Sequence, residues 1–216
     1  MQKILQEERK LWKKGFKRVV CLDESGRGPL AGPVLAAAVK SDFSLLKNFS
    51  KFDFVHIKDS KKLTPKKRKE FYKILTKHPN IEWGIGRVSE KVIDKINIKN
   101  AAELAMEKAL RNLEKKIKKR ADFLIIDGNQ LKNYKLKTKK YKLIVKADEK
   151  VFSCMASGII AKVTRDRIMQ NYHKKYPCYG FNQHKGYPTK YHIKMLKKHG
   201  PSKIHRKTFG PLKRFF

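Results

Sequence analysis

Four carboxylates stand where a strongly basic chain has little structural use for them. Asp23 and Glu24 follow the apolar run in VVCL-DE (19–24), Asp127 closes FLII-DG (123–128), and Asp148 follows LIVKA-D (143–148). If those runs are neighbouring strands ending at one edge of a sheet, the acids converge. Converging carboxylates repel one another unless cations neutralise them. Oxygen ligands of this kind select hard divalent ions, Mg2+ or Mn2+. Two such ions about 3.5–4 Å apart can activate a water and stabilise the leaving oxygen of a phosphodiester.

Each acid also has a plainer explanation. Asp-Gly after a strand is a common turn, and strand-ending aspartates often cap the next helix. That account suits any one of them better than all four together. Asp23 and Glu24 add a geometric condition, because adjacent side chains on a regular strand face opposite ways. They share one site only if the strand twists or bulges there, or if a main-chain carbonyl replaces one of them as a ligand.

Gly26-Arg27-Gly28 comes directly after the acid pair. Glycines let a backbone approach a ligand closely and expose its amides. An arginine between them can reach a phosphate or a sugar hydroxyl. The triplet is a weak signal alone and a more specific one beside two acids at a strand end.

The elements that must position these groups follow from the pattern. Residues 3–14 form an amphipathic opening helix closed by Gly15. RVVCLD and GPVLAAAVK read as two strands of a hairpin joined by a Gly/Pro-rich connection. FDFVHI suggests a brief strand near 53–57. Thr64-Pro65 opens a helix in LTPKKRKEFYKILTKH. IEWGIGRVS alternates as a strand. Residues 89–120 are helical with a break near NIKN. ADFLIIDGN is a buried strand ending in Asp127-Gly128, and YKLIVKAD a further one ending at Asp148. Helices follow over 151–175 and through PTKYHIKMLKKHG to Gly200. Strands first, then alternation, then a helical third predict an α/β fold with a mixed sheet and a C-terminal helical extension. The expectation is one domain over 1–216, with a core to about 170 and the extension over about 171–216.

The chain has 216 residues and a formal charge of +35, from 54 Lys+Arg against 19 Asp+Glu. Such a surface repels itself unless it meets a polyanion, and nucleic acid is the commonest. An apolar content of 40% is enough for a core and excludes a disordered tail protein. No apolar run reaches the about 20 residues of a membrane helix, and the N-terminus has neither signal nor transit character. Cys21, Cys154 and Cys178 show no zinc spacing. The expectation is a soluble, cytoplasmic monomer.

The motifs together resemble the ribonuclease HII family. LDESGRGPLAGPV, DSKKLTP (59–65), LIIDG, VKADEKVFSCMASGIIAKVTRDRIM and YGFNQHKGYPTKYHIKMLKKHGPSKIHRKTFGP match its signatures in order, from about residue 18 to 211. The resemblance implies a ribonuclease H-like sheet with a C-terminal helical region. It implies Asp23, Glu24, Asp127 and Asp148 as the catalytic metal ligands, with Mg2+ or Mn2+ in a two-metal mechanism. Gly26, Arg27 and Gly28 fall on the loop that reads the ribose 2′-hydroxyl, the group that tells RNA from DNA at one position. Tyr187 falls on the tyrosine that packs on the neighbouring sugar, and Lys61 and Lys62 on lysines near the phosphates. The activity implied is endonucleolytic hydrolysis of the RNA strand of RNA–DNA hybrids. It includes cutting 5′ of single ribonucleotides in duplex DNA to leave 3′-hydroxyl and 5′-phosphate ends, as in ribonucleotide excision and primer removal. The alternatives are a non-catalytic basic nucleic-acid-binding protein and another two-metal nuclease of the same fold.

Two positions depart from the family pattern. Ser25 replaces an apolar residue or alanine, and Gly158 stands where serine is common, which should loosen the helix after Asp148. His184 lies near Tyr187 in sequence, where a polar surface role is the plainer expectation. In the tail FGPLKRFF, Leu212, Phe215 and Phe216 loosely match short peptides that dock on sliding clamps, although Phe209 stands where those carry glutamine. Packing of the tail against the body is the competing expectation.

Overall fold

A computed structural model describes residues 2–42, 63–131 and 140–215. The expected strand at 53–57, Lys61, Lys62 and Phe216 lie outside the described residues. Five strands form one sheet in the order β3-β2-β1-β4-β5. They are β1 (Val19–Ser25), β2 (Val34–Ser41), β3 (Ile81–Val88), β4 (Phe123–Asp127) and β5 (Tyr141–Ile144). β1, β2 and β3 pair antiparallel, whereas β1, β4 and β5 run parallel, so the sheet is mixed as expected. Parallel pairing brings the C-terminal ends of β1, β4 and β5 to one edge.

The helices are α1 (Gln6–Lys13), α2 (Pro65–Lys77), α3 (Glu90–Ile117), α4 (Ala147–Lys150), α5 (Phe152–Lys175), α6 (Phe181–His184) and α7 (Lys190–His199). Thr64 caps α2 by accepting from the Lys67 N–H, with Pro65 at the first position. α3 is two helical pieces meeting at Asn97, whose φ of 63° breaks the run where NIKN foretold it. A glycine, Gly200, ends α7.

The sheet is buried on both faces. Ala36 and Ala38 of β2 face α3 with Val20, Leu22, Leu124 and Ile126. Ala37 and Val39 face α5 with Phe152, Met155 and Ile159. The alternation is strict, and the small side chains of β2 let a helix lie close on either side. On β3, Gly84 and Gly86 have no room for a β-carbon: one at Gly86 would sit 1.9 Å from the Ala105 carbonyl oxygen. A third cluster joins Leu30 and Ala31 to Met169, Tyr179, Phe181, Leu196, Ile204 and Leu212. The C-terminal residues thereby pack on the loop that follows β1.

YKLIVKAD does not run as a strand to Asp148. β5 stops at Ile144, and Lys146 turns the chain with a φ of 58° before Ala147–Lys150 closes a helical turn. The cause is non-local, for Oδ1 of Asp127 accepts the Ala147 N–H at 2.8 Å and caps that turn from the next strand.

Candidate active site

Register sets the first two acids level. β1 and β4 pair through Leu22↔Ile126, so the next residues along each strand are Asp23 and Asp127. Asp148 is brought beside them by the turn that Asp127 caps. One carboxylate oxygen from each of Asp23, Asp127 and Asp148 lies within 4.8 Å of the others. Asp148 is 2% exposed and Asp23 8% exposed, so both are withdrawn from water. Burial raises the Asp23 carboxyl well above the usual range, and the charges of Glu24, Asp127 and Asp148 raise it further. Acids placed so close and so deep fit a divalent cation in charge, in ligand type and in spacing.

Glu24 stands apart from those three. β1 stays regular through Ser25, pairing Asp23 with Ala37 and Glu24 with Ala36, so no bulge turns the two side chains together. Asp23 faces α5, where Gly158 leaves it room. Glu24 lies on the other side, its Oε1 accepting from Arg27 Nη1 at 3.2 Å. Burial pushes the Glu24 carboxyl up, the Arg27 guanidinium offsets part of that, and Asp127 adds to the rise. Glu24 borders two neighbouring clefts. One it shares with Asp23 and Asp148, the other with Asp127 and Gly128.

The first cleft collects most of the remaining expected residues. Gly26, Arg27 and Gly28 line it with Tyr187, Lys162 and Arg68. Gly26 has a φ of 100°, which few other residues adopt. A β-carbon on Gly28 would lie 3.5 Å from the Tyr187 ring, so loop and tyrosine form opposed walls. Lys162 Nζ stands 6.0 Å from the Tyr187 ring centroid and also donates to Asp166 at 2.7 Å. Tyr187 is 41% exposed, a partly open aromatic wall of the cleft.

Its main chain is held firmly. The Tyr187 N–H donates to the His184 carbonyl at 2.9 Å, and His192 Nδ1 lies 2.9 Å from the Tyr187 carbonyl. His184 therefore supports the tyrosine from within a buried aromatic and histidine cluster, stacked on His192 at 4.5 Å between ring centroids. It is not the plain surface residue expected from the sequence.

Sequence reasoning passed over Lys162 and Arg68 in the cleft, and Arg165 and Arg206 beneath it. Among 54 basic residues, nothing in the local pattern separates these from solvated lysines and arginines. The one signal is Arg165's place inside the apolar helical run IIAKVTRDRIM.

The family model described as Ribonuclease HII matches residues 20–211. The Ribonuclease HII of Caldicellulosiruptor bescii is 43% identical over 202 residues, covering 94% of this chain and 91% of that one. Among solved structures, the ribonuclease H2 from Pyrococcus horikoshii OT3 is similar with a TM-score of 0.72 and 25% identity, covering 92% of this chain and 96% of that one. The PCNA:RNase HII complex from Archaeoglobus fulgidus contributes a chain of the same fold, with a TM-score of 0.69 and 22% identity, covering 89% and 95%.

Proposed function

The chain belongs to the ribonuclease HII family, and from that premise we propose that Asp23, Glu24, Asp127 and Asp148 form its catalytic metal centre. The enzyme is a metal-dependent ribonuclease H, an endonuclease acting on RNA–DNA hybrids. One observation carries the assignment of residues: the buried acids Asp23 and Asp148 line one cleft with Gly26, Arg27, Gly28 and Tyr187. Divalent ions, Mg2+ or Mn2+, supply an activated water and charge neutralisation when bound there. The closeness of the Asp23, Asp127 and Asp148 carboxylates supports their holding these ions, and Glu24 lines the cleft of Asp23 and Asp148 as well as the cleft of Asp127.

The chain's own groups account for the rest of the reading. The Gly26-Arg27-Gly28 loop meets the ribose 2′-hydroxyl, and Tyr187 packs on the adjoining sugar. Lys162 and Arg68 add positive charge at the cleft rim for phosphates. Lys61 and Lys62, outside the described residues, keep the phosphate contacts that the family resemblance gives them. The substrate we propose beyond long hybrids is duplex DNA with a single embedded ribonucleotide, cut on its 5′ side. Such a reaction serves ribonucleotide excision and primer removal in the cytoplasm. The whole chain works as one monomeric catalytic unit, since residues 171–216 supply Tyr187 and brace the loop.

The test is an end-labelled DNA duplex with one ribonucleotide, beside an all-DNA duplex, assayed with Mg2+, with Mn2+ and with chelator. A metal-dependent cut 5′ of the ribonucleotide alone is the expected result. Binding without cleavage under either metal would leave a nucleic-acid-binding protein, and cleavage of branched all-DNA substrates would point to a different two-metal nuclease.

A sliding clamp is a second proposed partner and rests on Leu212, Phe215 and Phe216. Leu212 is fully buried in the C-terminal cluster and Phe215 packs against that cluster, so docking requires the last turn to peel away. Replacement of Phe215 and Phe216 by alanine should abolish retention on an immobilised clamp. Unchanged retention removes the tail from that role.

A further inference from the structure

Two arginines lie buried beneath the Gly26-Arg27-Gly28 loop, and neither is part of the metal centre. Arg165 and Arg206 are both 0% exposed. Arg206 donates from Nη2 to the Gly26 carbonyl at 2.7 Å, from Nη1 to the Arg27 carbonyl at 3.0 Å, and from Nε to the Gly32 carbonyl at 2.9 Å. Arg165 donates to the carbonyls of Pro33, Lys185 and Ala31 at 3.0, 3.1 and 3.1 Å. Burial lowers both guanidinium pKa values, to about 10 for Arg165 and about 9 for Arg206, which Arg165 lowers further. Both remain cationic at neutral pH.

A trans peptide is planar, with its C=O and N–H pointing in opposite directions, and every peptide bond described is trans. When Arg206 draws the Gly26 carbonyl inward, the Arg27 N–H of the same peptide unit points outward. Its hold on the Arg27 carbonyl turns the Gly28 N–H outward in the same way. One planar fork thus orients two successive amides. Both belong to residues lining the cleft that holds Asp23 and Asp148. Without that fork the two peptide planes could rotate easily, because glycine flanks Arg27 on either side.

Arg206 is itself fixed. Its N–H donates to the Leu30 carbonyl at 2.8 Å, and its guanidinium lies 5.0 Å from the Phe209 ring centroid. Arg165 defines the space beneath the loop: a β-carbon on Gly26 would fall 2.2 Å from Arg165 Nε. Lysine cannot reproduce either arrangement, since a compact ammonium lacks the planar fork.

We propose that Arg206 is a positioning residue for ribonucleotide selectivity: it presets the Arg27 and Gly28 amides as the donors that meet the 2′-hydroxyl. The proposal rests on the reading of this loop as the ribose sensor. It places a determinant of selectivity in the C-terminal extension, remote in sequence from the loop it controls.

The experiment compares binding to a duplex with one ribonucleotide against the all-deoxy duplex, in an Asp127→Asn background to prevent turnover. Arg206→Lys should lower the ribonucleotide preference about tenfold, the worth of one well-placed hydrogen bond. It should leave affinity for the all-deoxy duplex unchanged, whereas a merely structural role would weaken both. Gly28→Ala, measured alongside, tests the loop reading itself. Preference lost in Gly28→Ala but kept in a folded Arg206→Lys overturns the proposal and leaves the reading standing. Preference kept in both overturns both. If Arg206→Lys does not fold, the amide resonances of Arg27 and Gly28 in the otherwise native chain decide. They should shift with the ribonucleotide duplex and not with its deoxy counterpart, and equal shifts overturn the proposal.

Discussion

A β-carbon on Gly158 would lie 2.5 Å from Oδ2 of Asp23, so the bare backbone of α5 gives this buried carboxylate its place. The glycine expected to loosen a helix instead makes room beside a proposed metal ligand. Gly158→Ala should gain up to about 1 kcal/mol of helix propensity. It should also turn the Asp23 carboxylate away and cut turnover about tenfold, as small displacements of reacting groups do. Thermal melting and Mn2+ titration of one variant test both halves. A raised melting temperature with unchanged metal affinity and turnover removes Gly158 from this role. Gly158→Ser, which adds a hydroxyl able to donate to the displaced carboxylate, should recover part of the loss.

The separation of Glu24 from the three aspartates predicts two kinds of damage. Asp148→Asn removes the charge of one of three converging carboxylates. The metal-free protein should then melt higher, because repulsion falls, while the stabilisation that Mg2+ or Mn2+ gives the parent by mass action should vanish. Glu24→Gln should keep most of that metal-dependent stabilisation and still lose turnover. Melting curves with and without chelator, beside the cleavage assay, separate the two. Identical behaviour of the variants would place Glu24 among the same ligands.

Gly86 tests how closely β3 lies on α3. An added β-carbon meets the Ala105 carbonyl oxygen at 1.9 Å and the Ala109 nitrogen at 2.5 Å, both backbone atoms that cannot swing aside. Gly86→Ala should cost about 3 kcal/mol in urea unfolding, at the upper end for overpacking. A loss below about 1 kcal/mol would mean the helix can shift outward on the sheet.

How much of this was legible depends on whether the cause is local. β1 and β4 could be read because their apolar runs stop at acids, and the break in α3 because NIKN interrupts a helical period. The end of β5 could not be read. The apolar run continues through Val145, and what stops it is the Asp127 carboxylate reaching across from β4. The partition of Asp23 from Glu24 was legible as a condition, since strand alternation forbids a shared face without a bulge, and β1 has none. The roles of Arg165 and Arg206 could not be read for a different reason, although Arg165 does sit in an apolar helical run. Their partners are backbone carbonyls of a remote loop, which leave no trace in side-chain pattern, and the surrounding excess of positive charge masks both.

The His192–His205 pair makes the brace behind Tyr187 sensitive to acid. Ser202 N–H donates to His205 Nδ1 at 2.8 Å, so His205 carries its proton on Nε2 and donates to His192 Nε2 at 3.0 Å. His192 in turn donates from Nδ1 to the Tyr187 carbonyl. The chain is satisfied only with both rings neutral. Burial lowers His192 to about 4, with the nearby His184 adding to the effect, and lowers His205 to about 3, with His192 and His184 adding. Unfolded histidine titrates near 6.5, so between about 4 and 6.5 the unfolded chain binds protons that the native one refuses. Stability therefore falls as pH drops through that window, by up to about 1.4 kcal/mol per pH unit for each histidine. Glu8 opposes this. Burial raises its carboxyl to about 7, so its contribution is present at low pH and lost as pH rises through 7. In a Glu8→Gln background the acid-side slope should steepen, and adding His205→Gln should make it shallower, since one linked proton is removed. Chemical unfolding from pH 4 to 8 reads both slopes. A slope unchanged by His205→Gln would show that the pair does not carry the acid sensitivity.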